Sequence, residues 1–128
     1  MRFRVQKLIR DRLPQIMRSQ GLAVFDRRLD DDEFLAVLGH KLVEEANEAR
    51  LATPDEITGE LADVLEVVHA LAQAHGLSLA EVENARLAKR AERGGFDDRV
   101  FNAAVEAPDG LPAADYYLAR SEQYPRED

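Results

Sequence analysis

Apolar residues return at helical spacing through the middle of this chain. At about 100° per residue, Phe34, Val37, Leu38 and Ala49 fall on one arc of a helix expected to run from Asp30 or Asp31 to about Leu51. Either aspartate can cap it, and acids crowd its first turn, where the helix dipole favours them. Thr53-Pro54-Asp55-Glu56 combines a capping box with proline at the first helical position. It opens a second helix through Ile57, Leu61, Val64, Leu65, Val68 and Leu71 that stops at Gly76. Ser78 and Glu81 form another capping box, before a helix through Val82, Ala85, Leu87 and Ala88 to Gly94-Gly95. The short connections predict antiparallel neighbours. Upstream, Pro14 allows a helix to start, with Ile16 and Met17 as its apolar contacts and Gly21 as its end. Residues 22–29 are read as a short extended connection. After Phe96 the pattern weakens, and Pro108, Gly110, Pro112 and Pro125 break a tail with room for a short helix over Asp115 to Gln123. No internal repeat is visible. The expected architecture is all-α: an antiparallel bundle of about four to five helices, with one domain over residues 1–100 and a C-terminal tail over 101–128.

The helical phase gives the acids their interest. Glu45 and Glu48 fall in the arc that carries Phe34, Val37, Leu38 and Ala49, while Glu60 and Asp63 flank Val67 beside Val64 and Leu71. Acids that only solvate a helix sit on the opposite side. Turned inward, carboxylates repel one another and lose hydration, at several kcal/mol per uncompensated ion. Protonation, Lys or Arg partners, or a divalent metal must offset that cost. An oxygen-only donor set suits Mg²⁺, with Mn²⁺ as a substitute, and the pattern is read as a metal site.

Composition narrows the function classes. A chain of 128 residues suits one domain. A net charge of −8 argues against a surface for nucleic acid polymers or for an anionic membrane. Cysteine is absent, so there is no disulfide framework and no thiolate chemistry. No apolar run approaches a membrane span and no signal-peptide core is visible, so a cytoplasmic location is the expectation. The first fourteen residues are basic, unlike the rest. They are either a solvated arm or a phosphate-facing lip over an acidic, metal-loaded pocket.

Three blocks carry a family resemblance. Glu44-Glu45-x-x-Glu48 followed by Glu60-x-x-Asp63 resembles the signature of the MazG-like nucleotide pyrophosphohydrolases. These belong to the all-α NTP pyrophosphatase group, with phosphoribosyl-ATP pyrophosphohydrolase and dimeric dUTPases. Lys7-Leu8-Ile9-Arg10-Asp11-Arg12-Leu13-Pro14 looks like the opening of a MazG-like subset, and Lys89-Arg90-Ala91-Glu92-Arg93-Gly94-Gly95-Phe96 looks like the end of the last core helix. The resemblance covers roughly residues 5–100. It implies hydrolysis of a nucleoside triphosphate between its α- and β-phosphates, giving the monophosphate and pyrophosphate, as house-cleaning. Glu45, Glu48, Glu60 and Asp63 would hold Mg²⁺, and Glu44 would bind a second metal or accept a proton from the attacking water. Lys41, Lys89, Arg93, Arg10 and Lys7 would face phosphates, and Asn84 would read a base edge. A homo-oligomer, dimer or tetramer, is expected. Phosphoribosyl-ATP is the alternative substrate.

Other readings attach to the same residues. Lys89 and Arg93 also complement a helix C-terminus, Asn84 also reads as a surface amide, and His75 as a partner of its helix end. Glu66-x-x-His69 matches half of a di-iron motif, but lies well over 100° around the helix from Glu60. A helical dimerisation or regulatory module, with solvated glutamates binding a basic partner, is the non-enzymatic alternative.

Overall fold

The computed structural model describes all 128 residues, Met1–Asp128. It contains five helices and no strand: α1 (Leu13–Ser19), α2 (Asp31–Leu51), α3 (Ile57–Ala74), α4 (Leu79–Arg93) and α5 (Pro112–Leu118). The fold class is all-α, as expected. The chain divides into two compact units, Met1–Glu92 and Arg93–Asp128.

Local chemistry sets most helix ends. Asp30 caps α2, its Oδ1 accepting from the Glu33 N–H at 2.8 Å, with Asp31, Asp32 and Glu33 in the first turn. Ahead of α4 the reciprocal box forms in full. The Ser78 N–H donates to the Glu81 carboxylate at 2.6 Å, and the Glu81 N–H to the Ser78 hydroxyl at 3.1 Å. At the end of α3 the Leu77 N–H reaches the Ala72 carbonyl at 2.8 Å, and the Gly76 N–H that of Gln73 at 3.0 Å. Gly76 takes φ +72, the left-handed turn this ending requires.

One expected cap is different. The Thr53 hydroxyl bonds the Glu56 carboxylate at 2.8 Å rather than a backbone N–H. Residues 54–56 form turns, and α3 starts only at Ile57, after Glu56, with no side-chain cap. The two side chains satisfy each other and leave the first turn to its backbone.

Within the first unit, α2 and α3 pack against each other as an antiparallel pair. Leu38, only 1% exposed, is its centre, with Val67 and Ala72 buried beside it. The backbones of α1 and α4 do not approach this pair, so the expected packing of α4 beside α3 is not made within one chain. The reason lies in its sequence: α4 is largely charged, Leu79 and Leu87 are exposed, and only Val82 is half-buried. So little apolar area gains little from burial. The hairpin in turn leaves Val43, Leu61 and Leu65 open to solvent.

The second unit is organised by tyrosines. Tyr116, Tyr117 and Tyr124 cluster with ring centroids 5.1–6.2 Å apart, and the Arg120 guanidinium lies over Tyr116 at 3.9 Å. The short helix expected in the tail is α5.

Candidate metal centre

The reversal between α2 and α3 brings the second half of one helix beside the first half of the other. Ligand atoms of Glu45, Glu60 and Asp63 consequently lie within 4.8 Å of one another. Glu45 is 7% exposed, the one buried charged residue of the chain. Its Oε1 receives the Lys41 ammonium at 3.2 Å. Its Oε2, and the Oε2 of Glu60, are buried with no hydrogen-bond partner. A buried carboxylate oxygen without a donor is costly to maintain. Three carboxylates converging with two such oxygens form a donor set that fits a hard divalent cation.

Glu48 is exposed, not inward as its phase suggested. No part of this chain covers that flank of α2, so its side chain remains in water. It still faces the cluster. A hydrogen bond with Glu45 raises its carboxyl above the ordinary value, reinforced by the charge of Glu45, by partial desolvation, and by Glu60 and Glu44.

The cations stand on acids. Lys7 approaches Glu44 at 3.1 Å, and Lys41 approaches it at 3.5 Å. Burial pushes Glu44 upward, but the Lys7 hydrogen bond and the charges of Lys41 and Lys7 outweigh it and hold the carboxyl below its ordinary range. The same hydrogen bond raises Lys7. Arg10 donates to Asp63 at 2.6 Å. Lys41, Lys7 and Arg10, expected to face phosphates, are thus engaged with the carboxylates themselves.

Other expected contributors lie apart. Asn84 and Lys89 are exposed on α4, whose backbone does not approach α2 or α3. Arg93 belongs to the second unit. Glu66 and His69 are outside the carboxylate group. A cavity of about 460 Å³ opens at the other end of the hairpin, lined by Asp31, Phe34, Leu35, Ala70, Gln73 and Ala74. With one acid and no cation in its lining, it offers less chemistry than the carboxylate cage. The pairing of Arg10 with Asp63 leaves no mark in the sequence; the residues are 53 positions apart, and no spacing rule connects them.

A sequence profile for the family described as phosphoribosyl-ATP pyrophosphohydrolase matches residues 5–90. An uncharacterised protein of Mycolicibacterium smegmatis is 46% identical over 46 residues, which are 36% of this chain and 47% of that protein. The chain thus spans about half the length of this curated relative. No solved structure matches it. No helix is long and apolar enough to cross a membrane.

Proposed function

Since the chain belongs to the phosphoribosyl-ATP pyrophosphohydrolase family, within the MazG-like all-α NTP pyrophosphatase superfamily, we propose that it hydrolyses a nucleoside triphosphate to the monophosphate and pyrophosphate with Mg²⁺ bound, as house-cleaning. The observation that carries this reading is the pair of buried, partnerless oxygens on Glu45 and Glu60 beside Asp63. Glu45, Glu60 and Asp63, with Glu48 at the rim, would hold the ion. Bound there, Mg²⁺ supplies a Lewis acid for phosphate oxygens and lowers the pKa of a water.

The chain's own groups do the remainder. Glu44, kept ionised by Lys7 and Lys41, accepts the proton of the attacking water or helps hold a second ion. Lys41 and Lys7 neutralise phosphate charge. Lys89 and Arg93 add to that in a homo-oligomer, dimer or tetramer, where Asn84 reads the base. Self-association is supported by the exposed Val43, Leu61 and Leu65, which a second copy would cover.

A second reading is favoured by the family description itself: phosphoribosyl-ATP as the substrate. It carries the same α–β phosphoanhydride, so the carboxylates and cations keep their roles. The test is pyrophosphate release from a panel of canonical and modified nucleoside triphosphates and phosphoribosyl-ATP, with Mg²⁺, Mn²⁺ or EDTA. Metal-dependent release with the matching monophosphate is expected, and the best substrate decides between the two readings. Glu48→Ala and Asp63→Ala should each abolish it with helical content intact; full activity in either would remove the proposed site. Silence on the whole panel, with no metal-induced rise in Tm, would favour a binding module.

A further inference from the structure

Beside the carboxylate cage runs a segment with no helix of its own. Residues 1–10 lie outside regular structure. Within them Lys7 and Arg10 each reach a different acid, Glu44 at 3.1 Å and Asp63 at 2.6 Å. Leu8 and Ile9, between the two cations, are half-buried. The contact is therefore a clip, with two apolar side chains turned in and a cation at each end. Gln6, immediately before it, has φ +50, a left-handed conformation that a non-glycine residue keeps only where its surroundings hold it.

The clip is built to open. The side chains of Lys7 and Arg10 are 53% and 61% exposed, and ion pairs this open to water and salt hold weakly. One of the clipped acids, Asp63, also belongs to the carboxylate group with Glu45 and Glu60. A guanidinium and a divalent cation on the same small carboxylate repel each other, so they compete for Asp63. Once displaced, Arg10 remains tethered by Leu8 and Ile9 beside the site. Its planar fork of donors then matches a phosphate as well as it matched the carboxylate.

We infer that residues 7–10 form a cationic clip that takes the place of the divalent cation in the metal-free protein, and that Arg10 passes from Asp63 to a nucleotide phosphate when the cage fills. This rests on the metal-site reading proposed above. It makes binding ordered: Arg10 is free for a nucleotide only with the cation in place, so each ligand strengthens the other, by equal factors.

The test uses the full chain, with Mn²⁺ binding followed by electron paramagnetic resonance and with trypsin cleavage after Lys7 and Arg10. Filling the cage with Mn²⁺ should speed cleavage after Arg10, whose ion pair it breaks, more than cleavage after Lys7. An α,β-methylene nucleoside triphosphate, added next, should slow it again. Arg10→Gln should bind Mn²⁺ about two- to fivefold more tightly than wild type without nucleotide, the factor expected from an exposed pair, whereas Arg10→Lys should stay near wild type. Glu60→Gln, with the cage impaired, controls for effects of the ion on trypsin. Cleavage unchanged while Mn²⁺ is bound, or Arg10→Gln binding no tighter than wild type, overturns the clip and leaves the metal site standing. A wild-type chain that binds no Mn²⁺ overturns the metal site, and the clip with it.

Discussion

Neutralising Glu60 should stabilise the metal-free protein, and this is the sharpest consequence of the cage. Glu60 has a buried oxygen with no donor and ligand atoms within 4.8 Å of those of Glu45 and Asp63. At that separation each like-charge pair costs about 3.5 kcal/mol with an effective dielectric constant near 20. Lys41 on Glu45 and Arg10 on Asp63 remove much of this. A net gain of about 1–3 kcal/mol for Glu60→Gln therefore remains. That gain should raise Tm by about 4–12 °C in a chain of this size. The assay is thermal unfolding near neutral pH in EDTA and again in Mn²⁺. Wild type should gain about 2.7 kcal/mol at a Mn²⁺ concentration one hundred times its Kd. Glu60→Gln should start higher and gain little. A variant no more stable than wild type in EDTA, or one that keeps the full metal-induced rise, would refute the reasoning.

Three further outcomes follow from the same structure. Glu48 has a folded-state pKa above its ordinary 4.5, so above pH 4.5 this carboxyl holds a proton more often in the folded chain than in the unfolded one. Its effect is to lower stability as pH climbs from 4.5 through the raised value; metal affinity should grow across that same window. Glu48→Gln should flatten both profiles, and an unchanged calorimetric pH series would contradict the upward shift at Glu48. Leu38→Ala, at the one nearly inaccessible position, should cost about 2–5 kcal/mol in urea unfolding; a loss below about 1 kcal/mol would mean that the α2–α3 core is not the stabilising centre. Ser78→Ala removes a hydroxyl that receives a backbone N–H and should cost about 1 kcal/mol. Thr53→Ala breaks only a side-chain pair and should cost under about 0.5 kcal/mol, so equal losses in urea would contradict the two cap assignments.

Four lysine and arginine contacts converge on Glu44, Glu45 and Asp63, yet two buried oxygens remain unpaired. The internal cations soften the repulsion without ending it.

What the sequence determined by itself is whatever depends on neighbours along the chain. The Asp30 cap, the Ser78–Glu81 box and the stop at Gly76 each join residues a few positions apart, and helical phase turned Glu45 inward because its period is a property of the backbone. Phase also brought Glu60 and Asp63 to the side where Glu45 meets them. Tertiary structure decided the rest. It left Glu48 exposed, because burial depends on what covers a face and nothing in this chain covers that one. It left α4 away from the hairpin despite a short connection, because a linker limits distance while buried apolar area decides adhesion. It also set Arg10 on Asp63 across 53 positions. No local rule reaches that far: electrostatic attraction acts through space, and only the folded path of the chain brings these two charges together.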